Sequence, residues 1–378
     1  MGKLRIAMIS DAWYPFWGGG QTHIWEVSKR LVDNYNYTVD IYSLRVLATQ
    51  EKNVPKNLNH VDIHVFLGGP KTKDTNLLMR FFGGLQIIYQ AVKNHKKHPY
   101  DLIHSHGRDS ALYGKIISLL IKKPQIHTVH GTQVSDLKSP IFFYMLEQLL
   151  LTKIKFAQEI SVSKSFLQYP NVNTNVAIIP NGISSKSFNG VTNKKNDHYF
   201  NLLWVGRFDP MKGLTYLIEA VAITIKSNKN IRLTLIGDGK EKERIEELVK
   251  ALDLTQYVSF PGSKYDLDLV KEYQKANLFV LSSLAEGQPI TLLEAWASKL
   301  PVLVTRVGDM EDYVTEGVNG LVVSPGSSQE LAEKIIIAST SIDLKKMGVA
   351  GYRLVAREYT WDIITRKIYE IYKQVLQS

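Results

Sequence analysis

Glu286 and Glu294 stand in SLAEGQPITLLEAWASKLPVLVT, an E-x7-E spacing whose neighbours say what the two acids can do. An apolar run precedes Glu286 and an amphipathic stretch follows it, which places Glu286 in a strand-to-helix loop. Pro289 then lies near the first helical turn, where its missing N–H costs nothing, and Glu294 just over one turn in. The backbone from Gly287 to Ile290 would present amides with the positive end of the helix dipole behind them, a setting for an anion or for a sugar's hydroxyls. On spacing alone, both acids also fit a solvated surface. Two bases, Arg207 and Lys212 in VGRFDPMKG, suit an anionic ligand, with plain surface exposure as their alternative. The third cluster is PFWGGGQTH at 15–23, where glycines between an apolar run and an amphipathic stretch invite a phosphate. A dinucleotide fingerprint needs a third glycine and an acid closing the next strand. Here His23 occupies the glycine position and Asp40 falls near the start of its strand, so a tight turn with positive φ stays open beside a phosphate loop.

These residues need elements to hold them, and the chain supplies one rhythm twice. LRIAMIS, TVDIYSL, VDIHVFL, DLIHSH, QIHTVH and EISVS read as strands in the first half. FNLLWVG, IRLTLIG, YVSFPG, LFVLSS, PVLVT and GLVVS read as strands in the second. Helical stretches separate many of them, which indicates parallel sheets covered on both faces, hence an α/β protein of two doubly wound domains. The polar segment SSKSFNGVTNKKNDHY is the expected linker. In such sheets ligands bind beyond the carboxyl ends of the strands.

Composition fits this reading. The 378 residues, 44% of them hydrophobic, are enough for two cores, and no cysteine is present, which excludes disulfides and thiolate chemistry. No apolar run is long enough to span a bilayer and the N-terminus shows no signal pattern, so a cytoplasmic, soluble or peripheral protein is expected. Residues 1–180 hold 21 Lys and Arg against 12 Asp and Glu, whereas residues 181–378 are nearly balanced. That field favours an anionic partner. No nucleic-acid-binding motif accompanies it.

Taken in order, YPFWGGGQTH, the pair DLIHSHG and HTVHG, EISVSKS, IIPNGI, VGRFDPMKG, LIGDGKEKERIEEL, EGQPITLLE and TRVGDMEDYVTEGVNGLVVSPG resemble the motifs of family 4 of the retaining glycosyltransferases, from about residue 4 to residue 325. The resemblance implies the GT-B fold, two Rossmann-like domains facing an interdomain cleft. Residues 1–183 would form the acceptor side, residues 184–360 the nucleotide-sugar side, and residues 361–378 a helix packing back towards the first domain. By the same resemblance Arg207 and Lys212 match the pair that binds the donor diphosphate. Glu294 matches the ribose-binding acid, and Glu286 the acid contacting donor-sugar hydroxyls, assisted by Gly287, Gln288, Pro289 and Ile290. Gly19 and Gly20 match the loop that approaches the donor phosphate, and His130 the histidine beside the donor sugar. His23 and His106 are candidates on the acceptor side, Lys264 on the nucleobase side.

The implied chemistry is hexosyl transfer from a UDP- or GDP-sugar by front-face attack, the departing phosphate taking the acceptor's proton. No cofactor and no metal are expected. The DLD at 266–268 is not read as a metal-binding DxD, since Asp266 is expected to cap a helix beginning at Leu267. VGDMEDYV departs from the family pattern, Asp309 and Glu311 adding acidity, and Gln288 sits at a variable position; both leave the donor open. LLMRFFGGLQIIYQAVKNHKKH and SPIFFYMLEQLLLTKIKF mix apolar and basic residues as an interfacial surface does, which favours a lipid-linked acceptor over a soluble glycan and an anionic membrane at the inner face of the cell membrane. A non-catalytic nucleotide-sugar-binding subunit is the alternative from another class, and a dehydrogenase the weaker one.

Overall fold

Strands of three to ten residues separated by amphipathic helices can bury their apolar side chains only by stacking into covered sheets. In a computed structural model they do so twice. The structure describes residues 3–11, 13, 18–46, 60–72, 77–130, 141–184, 198–340 and 343–378. Most of the expected linker and residues 14–17 of the glycine segment lie outside the described residues.

By internal contacts the chain divides into two compact units, Met1–Asn181 with Trp361–Ser378, and Gly182–Thr360. The first unit is built on β1 (Leu4–Ser10), β2 (Tyr37–Val46), β3 (Ile63–Thr72), β4 (Leu102–His106), β5 (Gln125–Val129), β6 (Gln158–Ser161) and β7 (Val176–Ile178). These lie in the order β3-β2-β1-β4-β5-β6-β7, with every pairing between neighbouring strands parallel. Six of the strands match the sequence reading. The seventh, β7, is three half-buried residues at the sheet edge, too short to show a period.

The second unit contains β8 (Phe200–Val205), β9 (Ile231–Ile236), β10 (Val258–Gly262), β11 (Leu278–Leu281), β12 (Val302–Thr305) and β13 (Gly320–Val323), in the order β10-β9-β8-β11-β12-β13. Alternation along β8 and β11 sends Leu202, Trp204, Leu278 and Val280 into one core. Leu203, Phe279 and Leu281 go into the other. The sheet is therefore apolar on both faces, which is why its strands read as unbroken hydrophobic runs.

In each unit the strand order reverses beside the first strand, between β1 and β4 and between β8 and β11. A doubly wound sheet opens a crevice at the carboxyl ends of such strands. Ser10 and His106 end β1 and β4; Arg207 follows β8 and Ser282 follows β11.

The helix Trp361–Gln377 belongs to the first unit. It packs along the helix Gly19–Tyr35, with the Tyr35 and Tyr369 rings stacked at 4.1 Å and Arg30 Nε donating to Asp362 Oδ1 at 2.8 Å.

Candidate active site

In the second unit the sequence DPMKG makes its own turn. Asp209 caps a single 3-10 turn, Pro210–Lys212, by accepting from the Met211 amide at 3.2 Å, and Pro210 occupies the position that needs no N–H. Gly213 then takes φ +61°, where a Cβ would stand 2.1 Å from the Ser282 carbonyl oxygen, so no other residue fits without moving the backbone. The turn is stitched to the loop after β11: Ser282 Oγ donates to the Lys212 carbonyl at 3.0 Å and the Leu284 amide to the Met211 carbonyl at 2.7 Å. Gly308, at φ +55°, presses on the same loop from the other side, its absent Cβ leaving room for the Glu286 carbonyl.

This framework brings two of the expected residues into direct contact. Lys212 Nζ donates to Glu286 Oε1 at 2.5 Å, and Ser283 Oγ donates to the same oxygen at 2.7 Å. Glu286 is largely buried and Lys212 a quarter exposed. A buried carboxylate needs such partners, since charge removed from water is costly unless paired. Arg207 remains mostly exposed, its guanidinium 3.7 Å from Asp209. Gln288 is buried, and Pro289 stands at the cap of the helix Ile290–Ala297 with Gly287 just before it. Glu294, on the second turn of that helix, accepts from Tyr273 Oη at 2.7 Å. Burial pushes its carboxyl above the usual range, against the lowering effect of that hydrogen bond. Lys264 Nζ donates to Glu272 Oε1 at 2.6 Å and so sits apart in its own ion pair.

Two expectations change here. Asp266 is the first residue of the helix Asp266–Lys275, at φ +49°, and Tyr265 holds the cap position with no side-chain bond to the helix. The acidity expected of VGDMEDYV is also reduced, since one of its three acids, Glu311, accepts through Oε1 from Arg306 at 2.6 Å.

The first unit presents a different kind of site. Gly19 and Gly20 open the helix Gly19–Tyr35 instead of lying in a loop, and a Cβ on Gly20 would come within 3.8 Å of the His130 ring. His23, one turn on, is buried, with Nδ1 3.1 Å from Asn181 Oδ1. His106 ends β4 and His130 follows β5, and His106 Nδ1 lies 3.1 Å from His130 Nε2. The His23 ring is 4.8 Å from His130 and 5.8 Å from His106. The sequence-predicted histidines therefore form one group. His104, which sequence reasoning did not single out, joins it through ring contact with His106 at 4.1 Å. Its signal was present in HSH, since residues two apart on a strand share a face.

Burial keeps these imidazoles neutral. His23 is lowered to about 4, against the opposing bond to Asn181, and burial lowers His104, His106 and His130 as well, each helped by its histidine neighbours. Among the described residues, His23 Nε2 and His106 Nε2 have no hydrogen-bond partner. No group of three or more His, Asp or Glu among the described residues is arranged to hold a metal ion.

Two family models match the chain: Glycosyltransferase Family 4 over residues 17–186 and Glycosyl transferases group 1 over residues 186–352. An uncharacterised glycosyltransferase of Methanocaldococcus jannaschii is 27% identical over 376 residues, covering 96% of this chain and 97% of its own. Among solved structures, sucrose-phosphate synthase from Thermosynechococcus elongatus aligns with a TM-score of 0.86 at 23% identity, over 99% of both chains. HepE of Anabaena in complex with UDP-glucose aligns with a TM-score of 0.79 at 19% identity, over 98% of this chain and all of that one.

Proposed function

Because the chain belongs to glycosyltransferase family 4 and has the GT-B fold, we propose that it moves a hexosyl unit from a UDP- or GDP-sugar to a hydroxyl of a lipid-linked or glycan acceptor, with retention and by front-face transfer. The observation that carries this reading is the Lys212–Glu286 pair at 2.5 Å, held at the carboxyl end of β11 beside the start of the Ile290 helix. An ammonium beside a carboxylate serves both ends of a sugar diphosphate. Glu286 accepts from the sugar hydroxyls, while Lys212 and the exposed Arg207 take the phosphate charge. That charge grows as the glycosidic bond breaks, so the two bases stabilise the transition state more than the bound donor. Glu294 accepts from the ribose hydroxyls, the backbone from Gly287 to Ile290 assists, and Lys264 lies on the nucleobase side. His130 donates a neutral hydrogen bond to the donor sugar, Gly19 and Gly20 leave room for the phosphate, and His23 and His106 serve the acceptor side. The leaving phosphate takes the acceptor's proton, so neither a metal nor a cofactor is required. The UDP-glucose complex of HepE favours UDP over GDP as the first donor to try.

The lipid-linked acceptor and a peripheral position on the inner face of the cell membrane draw support from the first unit. Right-handed crossovers from β3 to β4, β4 to β5 and β5 to β6 put the helices Leu77–Lys97, Arg108–Ile121 and Ile141–Lys153 in one layer. That layer exposes Phe82 and Tyr89, Leu119 and Leu120, and Met145 and Leu149. Lysines sit at the helix ends, at Lys96 and Lys97, Lys122 and Lys123, and Lys153. The middle helix was not among the interfacial segments read from the sequence. Among the described residues no helix is long and apolar enough to cross a membrane, so this surface is suited to lying on one.

The test is a thermal-shift screen against UDP- and GDP-sugars, followed by release of nucleotide with and without acceptor lipid. A donor that raises the melting temperature and is turned over supports the reading. Donor binding with no turnover under any acceptor would assign the chain to a non-catalytic subunit instead. Sedimentation with anionic vesicles, stronger at low salt, checks the membrane part.

A further inference from the structure

The C-terminal helix reaches the histidine group directly. Tyr372, fully buried on the helix Trp361–Gln377, places its hydroxyl 2.6 Å from His104 Nδ1. The opposite nitrogen, His104 Nε2, lies 2.7 Å from Thr128 Oγ1 on β5. The same helix begins with Trp361, whose indole meets the His23 ring edge-on at 5.5 Å. Tyr372 and Thr128 thus hold the His104 imidazole from both sides, and that ring packs on His106 at 4.1 Å, which in turn bonds His130.

The protons can be followed along this chain. Burial raises the Tyr372 phenol far above its ordinary value, so it stays protonated, and burial keeps His104 neutral. A neutral imidazole carries one hydrogen and one lone pair. The phenol, with its own proton to place, donates to His104 Nδ1, which leaves the ring hydrogen on Nε2 to be donated to Thr128. His106 meets a similar choice. Its Nε2 is buried without a partner, and an orphaned N–H is rarer in folded proteins than an orphaned acceptor. The hydrogen of His106 therefore sits on Nδ1 and points at His130 Nε2. His130 is then left with its own hydrogen on Nδ1, a neutral donor of fixed orientation.

We propose that Tyr372 is a positioning residue for transfer: through its bond to His104 it fixes the tautomer and plane of that ring, and through the packing of His104 on His106 it sets the orientation of His130. The proposal rests on the reading that His130 serves the reacting sugar. It makes the C-terminal helix part of the chemistry of the first unit and not only of its packing.

Tyr372→Phe removes the hydroxyl and keeps the ring. Turnover falls about 10- to 100-fold, the range for misplacement near a reacting centre, while the donor KM stays within about twofold. Long-range 1H–15N spectra of histidine-labelled protein show His104 passing from a single Nε2–H form to a mixture of tautomers. A merely structural tyrosine would lower the melting temperature without that split between turnover and KM. Thr128→Val removes the other partner of His104 without touching the C-terminal helix and is expected to act in the same direction, which keeps the test open if Tyr372→Phe folds poorly. Folded variants with full turnover, or with a raised donor KM and unchanged turnover, overturn the proposal. His130→Ala separates the two levels: full turnover there removes the underlying reading, whereas loss there with full turnover in Tyr372→Phe removes only the positioning role.

Discussion

The two sheets share a topology, yet the carboxyl end of the first gathers four neutral histidine rings beside an Arg80–Asp109–Arg108 cluster, whereas that of the second gathers the charged Lys212, Glu286 and Arg207. In the first unit His23, His104 and His106 are buried with His130 beside them, and burial keeps all four uncharged. In the second, Lys212 is tied to Glu286 and Arg207 stands in solvent, with Lys264 paired nearby in the chain. Repetition of a fold thus fixes where a site opens without fixing its electrostatics. Desolvated imidazoles are suited to directional hydrogen bonds with hydroxyls, and an exposed base such as Arg207 to an anion that brings its own charge.

Removing charge from the second unit is the strongest way to break this contrast. Arg207→Ala or Lys212→Ala should lower turnover about 10²- to 10³-fold, more than either weakens donor binding, because the leaving phosphate gains charge in the transition state. Steady-state kinetics on folded variants decides it, and full turnover would detach the basic pair from the active site. Next in size is Glu294→Ala, expected to raise the donor KM roughly tenfold with turnover nearly intact, the loss of a charge-assisted hydrogen bond made equally before and during reaction.

Acid sharpens the contrast through stability. A histidine whose folded pKa lies below its unfolded value costs stability as pH falls, because the unfolded chain binds the proton first. His23 and His127, both lowered by burial to about 4, each lose ~3 kcal/mol between about pH 6.5 and 4. His104, His106 and His130 act in the same direction. Asp11 and Glu159, raised by burial to about 6 and about 7, act oppositely over the same window but are only two. All of these lie in the first unit, whereas in the second the buried Glu294 is raised and gains as pH falls. Hydrogen exchange at pH 5 should therefore show the first unit losing protection before the second; uniform loss in both would refute the assignment of neutral histidines. The smallest expected effect is none at all: with transfer relying on side chains, turnover should persist in excess chelator, and an absolute requirement for a divalent ion would count against the mechanism.

Much of this was legible in the sequence, for identifiable reasons. Twelve strands announced themselves because a sheet covered on both faces demands continuous apolar runs, and β7 escaped because three half-buried edge residues carry no period. The candidate residues Arg207, Glu286 and His130 could be placed after strands from the sequence alone, because a doubly wound sheet fixes where its loops fall. The partners were not. Nothing local in ITRKIYEIYKQ marks Tyr372 as the neighbour of a histidine 268 positions earlier. Asp266 misled because an acid before an apolar run is an ordinary capping signal, whereas the helix begins at Asp266 itself and Tyr265 holds the cap position.

The threading of the chain has a consequence for its synthesis. The second unit is one continuous stretch, fully synthesised once Thr360 is added, but the first needs Trp361–Ser378 as well as Met1–Asn181. At ordinary translation speeds its opening segment waits roughly 10–40 s for that last helix. Throughout that interval His104 lacks its phenol and the Gly19–Tyr35 helix lacks its cover, so the unit begun first is finished last. The contacts of Tyr372 with His104 and of Trp361 with His23 therefore form only after the whole of Gly182–Thr360 has been synthesised.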